Sequence, residues 1–252
     1  TSWALAEGLK RRAARWVEDQ SEFSLAGAGV RWRWQDTGHL AVVLAACLMA
    51  FTPLRGRGWA RHAHHILLVV YAGFIAGELL SQGLLTGWAA AGTPWRTAPG
   101  LVLLAVVSLL GPVVTGRQLY CHHICPHGAL QQLLAKRIKL QWNPPRRLDT
   151  RLGWLPFGLL AFALAAAMLA WRVDLNDLEP FDAYLFRVAG TWVIVLAVAG
   201  LAWSLFTPLA YCRYGCPTGA LFKLLRFKGL GDRLGWREAA TAGVILAAWW
   251  LS

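Results

Sequence analysis

Charge is scarce in this 252-residue chain: Asp, Glu, Lys and Arg make up 15% of it, with 13 acidic residues against 25 basic ones. A soluble domain carries about a quarter charged residues. With 57% hydrophobic content and 15 tryptophans, the composition excludes an ordinary soluble domain and indicates an integral membrane protein. Also lacking is any C-x-x-C-x-x-C-x-x-x-C-P run, which excludes the bacterial ferredoxin arrangement of cluster ligands. No signal peptide is visible, and the first residue is Thr1 rather than Met, so the expectation is a processed chain or a piece of a longer one. The formal net charge of +12 would suit nucleic acid, but the Lys and Arg residues lie between apolar runs. Membrane topology and anionic lipid head groups account for them there, and no nucleic-acid partner is expected.

Six apolar runs follow one another, at about 39–54, 65–85, 99–118, 153–171, 190–210 and 237–251, most of them near the ~20 residues that a spanning helix needs. Loops carrying Arg55, Arg57 and Arg61, then Lys136, Arg137, Lys139, Arg146, Arg147 and Arg151, then Arg213, Lys223, Arg226, Lys228, Arg233 and Arg237 alternate with loops poor in positive charge. The positive-inside rule puts the first set in the cytoplasm. The fold expected is an all-α integral membrane bundle of about six transmembrane helices. Residues 1–38 form an outer amphipathic or linker segment, and 39–118 carry helices 1–3. A first motif region occupies 119–152, helices 4–5 lie in 153–210, a second motif region occupies 211–236, and helix 6 lies in 237–252.

The two motif regions hold four of the five cysteines, in Tyr120-Cys121-His122-His123-Ile124-Cys125-Pro126-His127-Gly128-Ala129-Leu130 and Tyr211-Cys212-Arg213-Tyr214-Gly215-Cys216-Pro217-Thr218-Gly219-Ala220-Leu221. Both read Y-C-x-x-x-C-P-x-G-A-L, so the pseudo-repeat is span, C-x-x-x-C-P, then a basic amphipathic interfacial helix. Two spans separate the pairs, which therefore reach the same face. Pro126 and Pro217 suit the first position of a new helix, placing Cys125 and Cys216 at helix N-termini where backbone N–H groups favour thiolate. The paired Gly-Ala residues fit either close backbone approach within the motif or packing against a neighbouring span. Four reduced thiols, Cys121, Cys125, Cys212 and Cys216, make a metal or cluster site: one [4Fe–4S] cluster, structural zinc, or thiolate-bound copper. The last two correspond to an alternative function, a copper or zinc thiolate protein for metal handling or sensing.

These motifs resemble those of the NosR/NirI type of polytopic membrane proteins, related to NapH-type subunits, over about residues 39–228. Leu178-Glu179-Pro180-Phe181 and Leu80-Ser81-Gln82 to Thr86 support the likeness. The resemblance implies that the four cysteines ligate an iron–sulfur cluster. It also implies that the chain passes electrons in a bacterial cytoplasmic membrane, between a cytoplasmic-side or quinol donor and a periplasmic redox partner, as a component of an oxidoreductase system. Full-length members carry a flavin domain before and a ferredoxin-like domain after these spans. No Ser/Thr-Gly-Ala-Thr flavin-attachment motif occurs here, so flavin or ferredoxin centres are assigned to missing domains or partner proteins.

His122, His123 and His127 flank the first cysteine pair and are not duplicated in the second, so they and Arg213 are expected around the site rather than as its ligands. Glu78 and Gln82, four residues apart within one expected span, form a candidate proton or quinone site. His39, His62, His64 and His65 show no helix-spaced pairing within two spans, and haem is not expected. Cys47, alone in the first span, is read as apolar filler.

Overall fold

The computed structural model describes residues 29–135, 141–169, 171, 173–185, 189–226 and 243. Most of the expected outer segment, the sixth span, and the basic residues Lys136, Arg137, Lys139, Lys228, Arg233 and Arg237 lie outside them. Among the described residues the chain is all-α, without strands. Helix α1 is Trp34–Phe51; α2 is Gly58–Leu67 and runs on as a π-helix, Leu68–Ala76. There follow α3 Gln82–Ala91, α4 Pro99–Thr115, α5 Pro126–Leu134, α6 Arg146–Leu152 and α7 Leu155–Met168. The series closes with α8 Thr191–Phe206, α9 Ala210–Tyr214 and α10 Pro217–Leu225. Trp34–Phe51 and Arg146–Met168 are long and apolar enough to cross a membrane, while Pro99–Thr115 and Thr191–Phe206 are apolar but shorter.

The tetrapeptide Phe-Thr-Pro-Leu occurs at 51–54 and again at 206–209, and it does the same work twice. The residue before a proline avoids helical geometry, so Thr52 and Thr207 are extended and end α1 and α8. The expected span 65–85 is not one helix. Gly77 at φ 64° ends the π-helix, and Ser81 starts α3 by accepting a hydrogen bond from the Leu84 N–H. Glu78 therefore lies in a break and Gln82 opens the next helix, so the two do not share a helical face.

Over the residues described, the post-proline helices bury their first turns within the bundle. Pro126, His127, Gly128, Ala129 and Gln131 of α5 are buried, as are Pro217, Thr218, Gly219, Ala220 and Phe222 of α10. Helix α5 packs on the 58–76 helix and on α8; α10 packs on α7 and on α4. Each post-proline helix thus lies against the long helix that precedes the other motif. This exchange draws the two cysteine pairs into one core, where Cys125 and Cys216 join Leu68, Leu80, Tyr120, Ile124 and Phe222. The small Gly-Ala pairs allow the helices to enter the bundle that closely.

Candidate metal centre

Each motif builds its half of the site in the same way. Cys125 and Cys216 cap α5 and α10, their sulfurs accepting hydrogen bonds from Gly128 N–H at 3.5 Å and Gly219 N–H at 3.2 Å. A third contact joins the halves: Gln131 of α5 donates its Nε2–H to Cys212 Sγ at 3.1 Å, while its Oε1 accepts from Ser204 Oγ of α8 at 2.8 Å. A cavity of about 320 Å³ exposes Cys121 and Cys212 beside Gln118, His122, Arg213 and Lys223.

Burial pushes all four thiols up, Cys125 to about 11 and the others well above the usual thiol value. The sulfurs also act on one another: Cys121 feels Cys216 and Cys125, Cys212 feels Cys125 and Cys121, and Cys216 feels Cys212 and Cys125. The helix N–H groups favour thiolate as the sequence suggested, but burial outweighs them. Four sulfur donors brought together, two buried and two half-buried, become thiolates at neutral pH only around positive charge, and their softness suits iron–sulfur chemistry. The donor set therefore fits an iron–sulfur cluster. Among the described residues no three His, Cys, Asp or Glu side chains form a group that would hold a single metal ion.

The motif tyrosines anchor the site to two breaks in the helices. Tyr120 is 1% exposed; its hydroxyl accepts from Leu80 N–H at 3.0 Å and donates to Leu80 O at 3.2 Å, and its ring lies 5.1 Å from that of Phe222. Tyr211 donates to Leu178 O at 3.3 Å. Segments expected as the far side of the second span and as an outer loop therefore reach the cysteine motifs inside the bundle.

Of the other residues singled out, His127 is buried, 3.2 Å from Tyr184 Oη through Nδ1 and edge-on to Tyr211, and burial lowers its pKa to about 4. His122 and His123 line a basic cavity, and the His123 carbonyl meets His64 Nε2 at 2.9 Å. Arg213 lines the thiol cavity but is engaged, with Nη2 2.7 Å from Asp149 Oδ1. Glu78 pairs with Arg33 at 3.0 Å and lies 3.7 Å from His39. Gln82 is buried, donating Nε2–H to Thr218 Oγ1 at 3.3 Å. The structure thus separates the candidate proton or quinone pair and gives Gln82 to the cysteine region.

Sequence reasoning gave Glu179 no role at the site. Its carboxylate accepts from Gln82 N–H at 2.7 Å, Thr218 N–H at 3.1 Å and the Thr218 hydroxyl, tying the first turn of α10 to that of α3. The signal was an acid followed by Pro180 in a loop, and a threonine where the first motif has His127.

The Gly-Ala pairs give a test within the motifs. A Cβ at Gly128 would lie 2.7 Å from Cys121 O, whereas one at Gly219 would meet Cys212 O at 3.4 Å. Gly128→Ala is expected to cost about 2–3 kcal/mol through overpacking against backbone and to lower bound iron. Gly219→Ala should stay within about 1 kcal/mol of the parent, since helix propensity offsets the milder contact. Thermal unfolding with iron analysis of both variants checks the asymmetry.

Residues 97–145 and 189–233 match the 4Fe-4S binding domain family, each segment holding one motif. The chain is 29% identical to the regulatory protein NosR of Stutzerimonas stutzeri over 64% of its own length and 24% of that protein's. It is 34% identical to the protein NirI of Paracoccus denitrificans over 51% of this chain and 21% of the relative. To the putative electron transport protein YccM of Escherichia coli it is 33% identical, over 48% and 36%. The chain thus spans well under half the length of each of these relatives. No solved structure matches it.

Proposed function

We propose that the chain is a NosR/NirI-type protein with an iron–sulfur cofactor, that it is a multi-pass electron-transfer protein of a bacterial cytoplasmic membrane, and that Cys121, Cys125, Cys212 and Cys216 together hold one [4Fe–4S] cluster. When bound, such a cluster supplies a carrier for single electrons. The observation that carries this reading is that both copies of the motif meet in one core, with every cysteine sulfur close enough to act on the other three. Gln131 and the Gly128 and Gly219 N–H groups orient sulfurs, while Tyr120, Phe222 and Tyr211 keep water from the inner side.

Support for the membrane comes from large apolar side chains turned outward on the long helices, among them Leu44 and Leu48 of α1, Val114 of α4, and Trp192 and Val198 of α8. A surface of this kind on several helices suits lipid. Six spans, with the cysteine motifs entered from the cytoplasmic side, accommodate it. The donor is on the cytoplasmic side or is a quinol, and the acceptor is a periplasmic redox partner. Because Leu80, Leu178 and Glu179 reach the motifs from the opposite side, the remaining path outward is shorter than a full bilayer. A partner protein carrying its own redox centre completes the path.

The test is iron and acid-labile sulfide per chain on anaerobically purified protein, with low-temperature paramagnetic resonance before and after reduction. About four of each per chain and a signal that appears on reduction are expected. About eight of each would mean two clusters and overturn the shared site. Stoichiometric zinc or copper without sulfide would overturn the electron-transfer reading.

A further inference from the structure

Beside the thiol cavity lies a larger one, of about 590 Å³, that the electron-transfer reading does not use. Arg55, Arg61, Arg117 and Arg226 converge on it from the turn before α2, from α2 itself, from the end of α4 and from the end of α10, and none of its lining residues is acidic. Among the described residues none of these four guanidinium groups is paired with a carboxylate. Arg117 is held in place by the Ala50 carbonyl and by the face of Phe51, 5.5 Å away. A fifth donor points to a missing partner: Gln132 Nε2 is buried against this cavity and has no hydrogen-bond acceptor.

Four cations around one concave space repel one another unless an anion lies between them. The planar fork of arginine matches phosphate oxygens two at a time, and an amide N–H completes such a shell. Carboxylate ligands of small size would leave most of these donors idle. We propose that this cavity binds a phosphate-bearing anion with two or more negative charges. Two sources share that chemistry, a free diphosphate and the head group of an anionic phospholipid. A neighbouring cavity shares Arg61, His65 and Gln132 and continues past Leu133, Pro208 and Leu209, giving an apolar exit alongside the charged site. Gln118 and His122 line both the basic cavity and the thiol cavity, so the anion sits directly against the first cysteine motif.

The inference stands apart from the cluster reading, and its test reads binding. The full chain in detergent is titrated calorimetrically with sodium pyrophosphate. In parallel, its thermal unfolding is followed with cardiolipin or with phosphatidylcholine added, and native mass spectrometry reads any retained lipid. Saturable binding of pyrophosphate identifies a soluble diphosphate site, and protection by cardiolipin but not phosphatidylcholine identifies a lipid head-group site. Either supports the proposal if Arg55→Gln with Arg61→Gln weakens it at least tenfold while Arg146→Gln with Arg147→Gln, the same loss of two charges on exposed α6, does not. Arg55→Lys with Arg61→Lys keeps the charge and removes the forks, and should weaken binding by a smaller factor. A cooperative thermal unfolding transition without either probe reports an intact fold in each variant. Failure of the parent protein to bind either probe, or equal weakening by Arg146→Gln with Arg147→Gln, overturns the proposal.

Discussion

Cys121→Ser alone is expected to bring iron and acid-labile sulfide from about four of each per chain to near zero. The magnitude follows from where the four sulfurs lie. Cys125 and Cys216 are buried in one core with Cys121 packed against it, and Gln131 of the first repeat donates to Cys212 of the second. Two independent centres, one per motif, would instead lose half their iron in this variant, and Cys121→Ser with Cys212→Ser would be needed to remove the rest. Cys212→Ser should therefore match Cys121→Ser, and the double variant should add nothing. Cys47→Ser is the control: Cys47 packs at the edge of the core away from both motifs in sequence, and iron content should hold at the parental value. Iron, sulfide and visible absorbance of the four variants and the parent, purified side by side, decide the matter.

The convergence of the two cysteine pairs was legible because an eleven-residue pattern, Y-C-x-x-x-C-P-x-G-A-L, is duplicated, and the structure brings both copies into one core. The helix starts were legible as well: Pro126 and Pro217 do open α5 and α10, and the cysteines before them do cap those helices. What those helices do next was not. Their leucine stripes with Lys and Arg around them suggested a membrane surface and gave no sign that their first turns, carrying Gly128-Ala129 and Gly219-Ala220, enter the bundle. Periodicity also misled at residues 65–85, where an unbroken apolar run hides Gly77 in a left-handed conformation and Ser81 as a cap. Reading through that break put Glu78 and Gln82 on one face. Contacts such as Tyr120 to Leu80 and Glu179 to Thr218 join residues 40 or 39 positions apart across the core, and no local pattern in the chain announces them.

Glu179→Ala is the substitution outside the cysteines with the largest expected effect, about 3–5 kcal/mol of stability together with loss of most bound iron. The carboxylate is 1% exposed and is the acceptor for two backbone N–H groups, those of Gln82 and Thr218, and for the Thr218 hydroxyl. Alanine leaves these donors buried without an acceptor, and each such group costs about 1–3 kcal/mol. Thr218 lies two residues after Cys216, so the loosened turn carries a proposed ligand with it. Glu179→Gln keeps one acceptor oxygen and should fall between alanine and the parent. The two variants also separate by pH. Burial raises the Glu179 pKa from 4.5 to about 7, although the hydrogen bonds from Thr218 and Gln82 oppose it. Between those values the folded chain holds a proton that the unfolded chain has released, so folding weakens as pH rises from 4.5 to 7 and levels off above. The span corresponds to about 3 kcal/mol. Glutamine has no such proton, so the stability difference between the parent and Glu179→Gln should change across pH 5 to 7.5 and be constant beyond it. Thermal unfolding of both proteins at matched pH reads that difference, and a gap that stays the same from pH 5 to 7.5 would show that Glu179 enters the fold already ionised.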